Sequence, residues 1–321
     1  MKILFVHPSL QTFVAKDLEI LRSQHEVREL HFKGLKSLRD LIQGVQWCEL
    51  TFSWFGKLHA FFAVLFSKIF GKKSVVVSGG DDVACDLQIK YGMFAFWWKR
   101  WCPLFVFKNA NLILCVSETN KQETIENAKA DSQKIKLIYH GFASPPKSNE
   151  RKSNEVVTIG HITSERIKVK GLDLFIKSAA FLPDVNFILV GRGEDKLVKE
   201  LKAVATENVI FIGEIYSEQL KEVLSKAKVY VQVSARESFG CALAEAMLCE
   251  CVPVVSRRAA IPEVVGDCGI YADELEPEKI AEKIREALSS DLGQKARNRI
   301  EKNFPLKKRK EELLEAINGS F

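Results

Sequence analysis

The sequence lacks the features of a membrane-spanning or exported protein. No apolar run reaches the roughly 18 residues that a membrane-spanning helix needs. The longest candidate, His59–Phe66, is followed closely by Lys68. The chain starts with a strand pattern, Met1–Val6, and shows no signal-peptide cleavage pattern after it. We therefore expect a cytoplasmic protein.

Metal-binding and disulfide patterns are also missing. The sequence has eight cysteines, of which Cys249 and Cys251 lie close together, on either side of Glu250. A tetrahedral zinc site usually needs a second close pair or a nearby histidine, and neither is present. We expect reduced thiols in a cytoplasmic core and no bound metal.

The sequence has none of the long glycine spacings of nucleotide-binding loops. Gly191-Arg-Gly193 is too short for a dinucleotide fingerprint or a P-loop. No RNA-binding motif occurs, so we expect no nucleic-acid partner. The composition is that of a globular protein, with 47% apolar and 27% charged residues, and 321 residues suggest two domains.

Positive charge is concentrated in the first half of the chain. Residues 1–150 hold 20 Lys/Arg and 14 Asp/Glu, whereas residues 151–321 hold 27 of each. Between Leu50 and Ser117 there are eight bases and three acids. The first half is therefore expected to meet an anionic partner.

Two series of short apolar strands alternate with helical patterns. The first series predicts strands at Ile3–Val6, Val27–His31, Cys48–Phe52, Ser74–Val77, Leu112–Val116 and Ile135–Tyr139. The second predicts strands at Val156–Gly160, Asn186–Val190, Val209–Ile212, Val229–Val233 and Val252–Ser256. Such alternation predicts parallel sheets covered on both faces. The predicted fold class is α/β, with two doubly wound, Rossmann-like domains that face a cleft.

A polar segment, Ser144–Glu155, separates the two series and is the predicted linker. It divides an N-terminal domain, residues 1–147, from a C-terminal domain, residues 148–303. A final helix within residues 304–321, amphipathic over Lys307–Ile317, is expected to join the first domain. Ligands of such folds bind beyond the carboxyl ends of the strands.

Seven residues separate two glutamates at the strongest candidate site, in the run Glu237-Ser-Phe-Gly-Cys-Ala-Leu-Ala-Glu245. The run follows a strand and enters a helix, whose first N–H groups suit a diphosphate. We predict that Glu237 accepts hydrogen bonds from sugar hydroxyls and Glu245 from ribose hydroxyls. The alternatives are a helix-start acid and a surface glutamate. The residues predicted to border the same donor are Ser238, Phe239 and Gly240.

A glycosidase pair is the competing interpretation of these two glutamates. Eight residues of helix advance about 12 Å, whereas glycosidase carboxylates lie roughly 5–9.5 Å apart. Hydrolysis is therefore disfavoured, unless the chain bends before Gly240.

Basic residues follow the first strand of the second series. Lys170 is predicted to open a helix and to neutralise a diphosphate leaving group, with the planar guanidinium of Arg166 beside it. Solvated surface positions are the alternative for both. Gly191 and Gly213 end neighbouring strands and are predicted donor contacts, with tight turns as the alternative.

Two residues of the first half are acceptor-side candidates. His7 ends the first strand, and Asp82 belongs to Ser78-Gly-Gly-Asp-Asp82 after the fourth strand. The alternatives are a structural histidine and a capping or turn role for Asp82.

Together these residues resemble retaining glycosyltransferases of family four, which are group 1 glycosyltransferases with the two-domain GT-B fold. The resemblance extends from about Val156 to Val265. Its segments are Lys170-Gly171, Phe187–Gly193, Val209–Gly213, Ser234–Pro253 and Ala260–Val265. It implies that Glu237 contacts the donor sugar, Glu245 the ribose, and Lys170, with Arg166, the diphosphate. It also implies no metal and no cofactor, since the nucleoside diphosphate sugar is a substrate.

The sequence departs from the family pattern at three places. His161 follows Gly160 where the family has an arginine, so Arg166 must substitute for that contact or it is lost. Glu250 stands where a glycine is usual. Ser9–Thr12 replaces the glycine-rich loop after the first strand of the chain, so the acceptor-side assignments rest on weaker similarity.

Membrane contact is a second hypothesis for the basic half. The stretches Phe52–Phe70 and Met93–Phe107 combine many aromatic residues with lysines and arginine, a mixture that suits a lipid headgroup surface. A buried helical core is the alternative.

The function expected from the sequence is transfer of a sugar from a nucleoside diphosphate sugar to a hydroxyl acceptor with retained configuration. The acceptor class is a glycan, a lipid-linked saccharide or a lipid, and the setting is the cytoplasm at the inner face of a membrane. The rivals are a nucleotide-sugar epimerase of the same architecture and a non-catalytic, basic membrane-binding protein on a degenerate scaffold.

Overall fold

A computed structural model describes residues 1–147 and 151–319. Residues 148–150 of the predicted linker and residues 320–321 of the predicted final segment lie outside this description. The chain forms two compact units, Met1–Gly141 with the segment from Leu306 onward, and Phe142–Pro305. The boundary between the units falls a few residues before the predicted one. Phe142 already belongs to the second unit, because its N–H donates a hydrogen bond to the Phe304 carbonyl (3.0 Å).

The first unit is a six-stranded parallel sheet covered by helices. Its strands are β1 (Lys2–His7), β2 (Glu26–His31), β3 (Leu50–Trp54), β4 (Lys73–Ser78), β5 (Leu112–Cys115) and β6 (Ile135–Leu137). Its helices before the boundary are α1 (Thr12–Arg22), α2 (Leu38–Trp47), α3 (Leu58–Ile69), α4 (Trp101–Asn109) and α5 (Glu118–Glu126). The strand order is β2-β1-β3-β4-β5-β6. β2 lies on one side of β1, and β3 to β6 follow one another on its other side, so the direction in which the chain adds strands changes between β2 and β3.

The second unit is another six-stranded parallel sheet. Its strands are β7 (Ser153–Ile159), β8 (Asn186–Val190), β9 (Val209–Gly213), β10 (Ala227–Gln232), β11 (Val252–Val255) and β12 (Ile270–Tyr271). Its helices are α6 (Ser164–Lys170), α7 (Leu172–Ser178), α8 (Asp195–Val204), α9 (Ser217–Lys226), α10 (Cys241–Leu248), α11 (Ile261–Val265), α12 (Pro277–Leu288) and α13 (Leu292–Asn303). The order β12-β11-β10-β7-β8-β9 is the dinucleotide-fold order of two three-stranded halves. The predicted α/β class with two doubly wound sheets is confirmed.

The last helix, α14 (Leu306–Gly319), belongs to the first unit and is joined to it by a buried ion pair. Arg309 donates from Nε to Asp17 Oδ1 and from Nη2 to Asp17 Oδ2, each at 2.7 Å. Its Nη1 donates to the carbonyls of Ile138 (3.0 Å) and Tyr139 (2.8 Å), and Trp54 Nε1 donates to Asp17 Oδ2 (3.1 Å). Both charges are therefore buried with hydrogen-bond partners, as burial requires.

Strand and helix ends differ in places from the sequence patterns. β3 begins at Leu50, two residues after the predicted Cys48, because Cys48 N–H bonds to the Gly44 carbonyl (3.0 Å) and so caps α2. β12 was not predicted, since two residues are too few for a periodic signal.

Candidate active site

The strand order of the second unit places the candidate site where its connections diverge. From β7 the chain proceeds through β8 to β9 on one side, and then crosses back to β10 and proceeds to β12 on the other. In open α/β sheets the crevice at this switch point, beyond the carboxyl ends of the strands, is where ligands bind. The loops that follow β7 and β10 therefore hold the residues of interest.

Two residues predicted separately, Lys170 and Glu237, meet at this point. Lys170 Nζ donates a hydrogen bond to Glu237 Oε1, and the two side chains are 15% and 11% exposed. A mostly buried ion pair gains little net stability, because desolvation of both charges offsets their attraction. The pair is therefore poor evidence of a stabilising role and good evidence of a polar site.

Lys170 is held by the way α6 begins and ends. Thr163 caps the start of the helix, where its Oγ1 accepts from Arg166 N–H (3.2 Å). Gly171 ends it at φ 66°, and a Cβ there would lie 2.7 Å from the Val233 carbonyl. Lys170 was predicted to open a helix; it is instead the last residue of α6, where the negative end of the helix dipole favours a cation.

Glu237 is held by the loop between β10 and α10. Ser234 Oγ donates to Glu237 Oε1 (3.2 Å), and Ser256 Oγ donates to the Ser234 carbonyl (2.6 Å). The Ala260 N–H donates to the Glu237 carbonyl (3.3 Å). Three segments thus fix the carboxylate against Lys170.

Glu237 lies outside the helix that carries Glu245. α10 starts at Cys241, after its N-cap Gly240, so Glu237 lies in the preceding loop. The estimate of helical advance between Glu237 and Glu245 therefore does not apply to this chain. What separates the roles of the two carboxylates is instead the ion pair of Glu237 with Lys170.

Of the residues between the glutamates, Ser238 is half-buried and Phe239 is buried. The Phe239 ring stacks on Phe142 (centroids 5.9 Å apart) and meets Phe304 edge-on (5.2 Å). The ring therefore serves packing, and only the main chain of Phe239 is left to border a donor.

Glu245 lies half-buried on α10, four residues after its first residue. Burial, with the carboxylates of Glu237 and then Glu245, raises the pKa of the Tyr230 hydroxyl well above its usual range. Both carboxylates therefore lie near enough to the buried Tyr230 hydroxyl to disfavour its ionisation.

Tyr230 and Gln232 are polar residues of the site that the sequence patterns missed. Tyr230 Oη donates to Gln232 Oε1 (3.0 Å), and the buried Nε2 of Gln232 has no hydrogen-bond partner in the part of the chain that the structure describes. That nitrogen lies 3.2 Å from where a Cβ on Gly240 would stand, at the start of α10. A glutamine within an apolar strand was the signal that could have revealed it.

The other predicted residues of this unit lie around the same strand ends. Gly191 N–H donates to the Gly213 carbonyl (2.7 Å), and a Cβ on Gly191 would lie 2.1 Å from the Gly160 carbonyl, so glycine is required there by close packing. Gly213 has open space on its side-chain side. Arg166 is exposed and lies four residues before Lys170, which puts both on one face of α6.

The two acceptor-side candidates of the first unit are buried. His7 Nε2 lies 3.1 Å from Glu29 Oε1, and its ring stacks on His31. Asp82 accepts from the N–H groups of Gly56 (2.6 Å), Gly79 (3.1 Å) and Gly80 (2.8 Å). The contacts of Asp82 fit its alternative, a turn-stabilising aspartate, whereas the buried Nδ1 of His7 has no hydrogen-bond partner among the described residues. The acceptor-side role of the two residues stays a prediction.

The charged form of the Asp82 carboxyl is nevertheless disfavoured. Burial and, second, the neighbouring Asp81 raise the pKa of Asp82 to about 6, against the N–H donors, which act in the opposite direction. Asp81 is the half-exposed member of the pair and bonds Lys57 (Nζ to Oδ2, 2.6 Å).

Residues 1–147 and 151–319 contain neither a metal-binding group nor a membrane-spanning helix. In these ranges no three His, Cys, Asp or Glu side chains are grouped to hold a metal ion. Nor does any helix there have the length and apolarity needed to cross a membrane. None of the eight cysteines, all of which lie in these ranges, forms a disulfide.

Comparison with known proteins shows the family and the fold of the chain. The family model of glycosyl transferases group 1 matches residues 142–306, just over half of the chain. A structure of Anabaena Alr3699/HepE in complex with UDP and glucose has the same fold, with a TM-score of 0.82 at 17% identity over 99% of this chain and 100% of that one.

Curated relatives are similar over part of their length. The gpi3 subunit of phosphatidylinositol N-acetylglucosaminyltransferase from Schizosaccharomyces pombe is 24% identical over 50% of this chain and 37% of its own. N-acetyl-alpha-D-glucosaminyl L-malate synthase from Bacillus anthracis is 24% identical over 77% and 68%. The chain spans less than half the length of the phosphatidylinositol N-acetylglucosaminyltransferase subunits that it matches. On the family match, this chain belongs to the group 1 glycosyltransferases, with the GT-B fold.

Proposed function

We propose that this protein transfers a sugar from a nucleoside diphosphate sugar to a hydroxyl acceptor with retention of configuration. The observation that carries the proposal is the Lys170–Glu237 pair at the switch point of the second sheet. Both residues match the family pattern, and both are side chains that would otherwise need a reason to leave water.

In the free protein Glu237 serves as the internal partner of Lys170. A bound diphosphate would compete for the ammonium group, which then stabilises the negative charge that grows on the leaving group as the glycosidic bond breaks. Arg166, on the same helix face, is the proposed second cation. The N–H groups at the start of α10, beside Gly240, add the positive end of a helix dipole.

Glu237, once released, accepts hydrogen bonds from hydroxyls of the donor sugar, and Glu245 accepts from the ribose. Gly191 and Gly213, at the adjoining strand ends, border the nucleotide, as do the main chains of Ser238 and Phe239. This set leaves the carboxylates bound to hydroxyls, so neither is assigned as a nucleophile.

The proposed reaction is a front-face displacement. The bond from the anomeric carbon to the diphosphate oxygen breaks, and the acceptor oxygen bonds to the same face of that carbon. The acceptor proton moves to the departing diphosphate oxygen, and the products are the glycoside and the nucleoside diphosphate. The proposal needs neither a metal nor a cofactor.

The proposed acceptor is a glycan, a lipid-linked saccharide or a lipid, and the setting is the cytoplasmic face of a membrane. The names of the relatives support this class, since one acts on phosphatidylinositol. The basic first half of the chain supports an anionic surface as partner. UDP in the Anabaena structure makes a uridine nucleotide the first donor to test.

The test separates binding from transfer. We expect Lys170→Ala to weaken UDP binding in calorimetry and to lower transfer by about 10²–10³-fold, the loss typical of a missing charge stabiliser. Glu237→Ala should leave UDP binding unchanged or tighter, because it frees Lys170, while transfer is lost. Transfer is measured with labelled sugar from UDP-glucose and UDP-N-acetylglucosamine into a lipid and glycan extract.

The matched controls are Lys168→Ala and Glu165→Ala, both exposed positions on α6. They should transfer at the wild-type rate, and circular dichroism should show that all four variants are folded. Near-normal transfer by the Lys170 or Glu237 variant contradicts the proposal. Conversion of the donor sugar without an acceptor would indicate an epimerase, and absence of any nucleotide binding would favour the non-catalytic alternative.

A further inference from the structure

One exposed surface of the first unit is left unexplained by sugar transfer. Trp97, Trp98 and Trp101 are 75%, 53% and 51% exposed, in a chain that has only five tryptophans. Single exposed apolar residues are ordinary, but three large aromatic side chains within five positions are not. We call this group, with Lys99 and Arg100 between its members, the tryptophan surface.

The tryptophan surface is fixed rather than frayed. Trp98 packs against Phe96 (centroids 5.2 Å apart) and meets Trp97 edge-on (5.9 Å). Trp101 begins α4 and meets Phe61 edge-on (5.2 Å), and Phe61 belongs to the packed core with α3. The aromatic side chains are therefore anchored on one side and open to solvent on the other.

The charges on and beside this surface are positive. Lys99 lies over the Phe96 ring (4.1 Å), Arg100 is exposed, and Lys90 is exposed in the preceding turn. The one acid of residues 86–101 is Asp86, and its Oδ1 accepts from the N–H groups of Gln88 (3.1 Å) and Ile89 (3.2 Å). The carboxylate is thus used within the turn, and the surface faces solvent with aromatic and cationic groups.

We propose that the tryptophan surface docks on an anionic lipid bilayer. Tryptophan combines an apolar ring with a polar N–H and suits the headgroup layer, and lysine and arginine are attracted to anionic lipid. The bilayer is the occupant that matches both properties of the surface. This inference deepens the membrane setting of the proposed function and does not depend on the transfer step.

The structure also separates the two aromatic stretches that the sequence left together. In Phe52–Phe70, Trp54 is buried, and Phe61, Phe62 and Phe66 pack against core clusters. Most aromatic side chains of that stretch therefore have the buried-core role that was its alternative, while Ile69 and Phe70 at its end are exposed. Of the two aromatic stretches, only Met93–Phe107 contains the tryptophan surface that we propose to contact lipid.

The experiment measures binding of the full chain to vesicles by sedimentation. Vesicles of phosphatidylcholine in which about a third of the lipid is anionic phosphatidylserine are compared with vesicles of phosphatidylcholine alone. Both are tested at low and at high salt. We expect binding to the anionic vesicles that falls with salt. Trp97→Ser/Trp98→Ser should weaken it by at least about tenfold, from lost apolar contact. Lys99→Gln/Arg100→Gln should weaken it by about fivefold for each charge removed.

Matched controls come from the same unit. Ile69→Ser removes another exposed apolar side chain, 62% exposed at the end of α3, and Lys307→Gln/Lys310→Gln removes two exposed charges of α14. Both should bind vesicles as the wild type does. A wild type that does not sediment with anionic vesicles at low salt, or tryptophan variants that bind as tightly as it does, would overturn the inference.

Two further readouts distinguish other occupants and other failures. If the tryptophans instead hold a second copy of the chain, sedimentation velocity will show a dimer that Trp97→Ser/Trp98→Ser dissociates, without vesicle binding, and the inference is wrong. The thermal shift with UDP should be the same in the wild type and the tryptophan variant. A loss of that shift in the wild type would count against the proposed function and not against lipid docking.

Discussion

Glu250 occupies a backbone position that favours glycine. It follows α10 at φ 63°, and its N–H donates to the Met247 carbonyl (3.0 Å). The next residue, Cys251, donates its N–H to the Ala246 carbonyl (3.0 Å). These two bonds define a Schellman motif, whose left-handed residue is usually glycine. The glycine of the family pattern at this position thus has a conformational reason, and this chain departs from it.

The departure has a predictable effect on stability. A non-glycine residue in the left-handed region costs about 1–2 kcal/mol, and glycine gives back about 0.5–1 kcal/mol of that as extra entropy of the unfolded chain. The side chain of Glu250 contributes little in return. Its Oε1 lies 3.9 Å from Arg297 Nη1, and Arg297 keeps Glu301 (2.9 Å) and the Leu248 carbonyl (3.0 Å) without it.

We therefore expect Glu250→Gly to raise the free energy of unfolding by about 0.5–1 kcal/mol, which is a rise of about 1–4 °C in Tm for a unit of this size. Glu250→Ala is the matched control, because it removes the same carboxylate and keeps a Cβ. Thermal and urea unfolding of the three proteins measure the difference. If the glycine and alanine variants are equally stable, backbone strain at this position is not what the family glycine relieves.

Two further predictions concern buried charge in the first unit. Arg309→Met should lower the free energy of unfolding by about 3–5 kcal/mol, since it leaves Asp17 buried without its cation. Lys310→Met, on the same helix, is the control and should change the free energy of unfolding little. Urea unfolding measures the stability of both variants. Burial lowers the pKa of His59 to about 4, so its contribution to stability is full above pH 6.5 and is lost as the pH falls toward 4. Between pH 7.5 and 5.0 that loss amounts to about 2 kcal/mol, and His59→Asn should flatten the measured dependence; an unchanged slope in this variant contradicts the assignment.

The fold could be predicted because its signals are local and repeated. Continuous apolar segments such as Val75–Val77, buried on both faces of a sheet, alternate with helices in each half, and every predicted strand is present. Strand ends were less accurate, since they depend on partners. Cys48 reads as strand by composition, but its N–H caps α2, and pairing with β1 starts at Leu50.

The site was only partly predictable, because its contacts are distant in sequence. The glutamate run and Lys170-Gly171 were identifiable as motifs, yet the hydrogen bond between Lys170 and Glu237 joins residues 67 positions apart and exists because β7 and β10 are neighbours in the sheet. Strand order is a property of the whole unit and is not written in either motif. The burial of the Phe239 ring likewise depends on Phe142 and Phe304, from the two ends of the unit.

The two buried ion pairs differ in their position in the fold and in their hydrogen-bond partners. At Asp17 and Arg309 each charged atom has at least one protein partner, so the pair is complete without a ligand. At Lys170 and Glu237 the ion pair is mostly buried, yet it stands at a strand crossover where ligands bind in this architecture. Removing both charges together would be nearly neutral for stability if the pair followed the usual balance of desolvation and attraction. Such a pair would contribute little to the fold, and the proposed function gives it another role, in which the diphosphate takes Lys170 and the donor sugar takes Glu237.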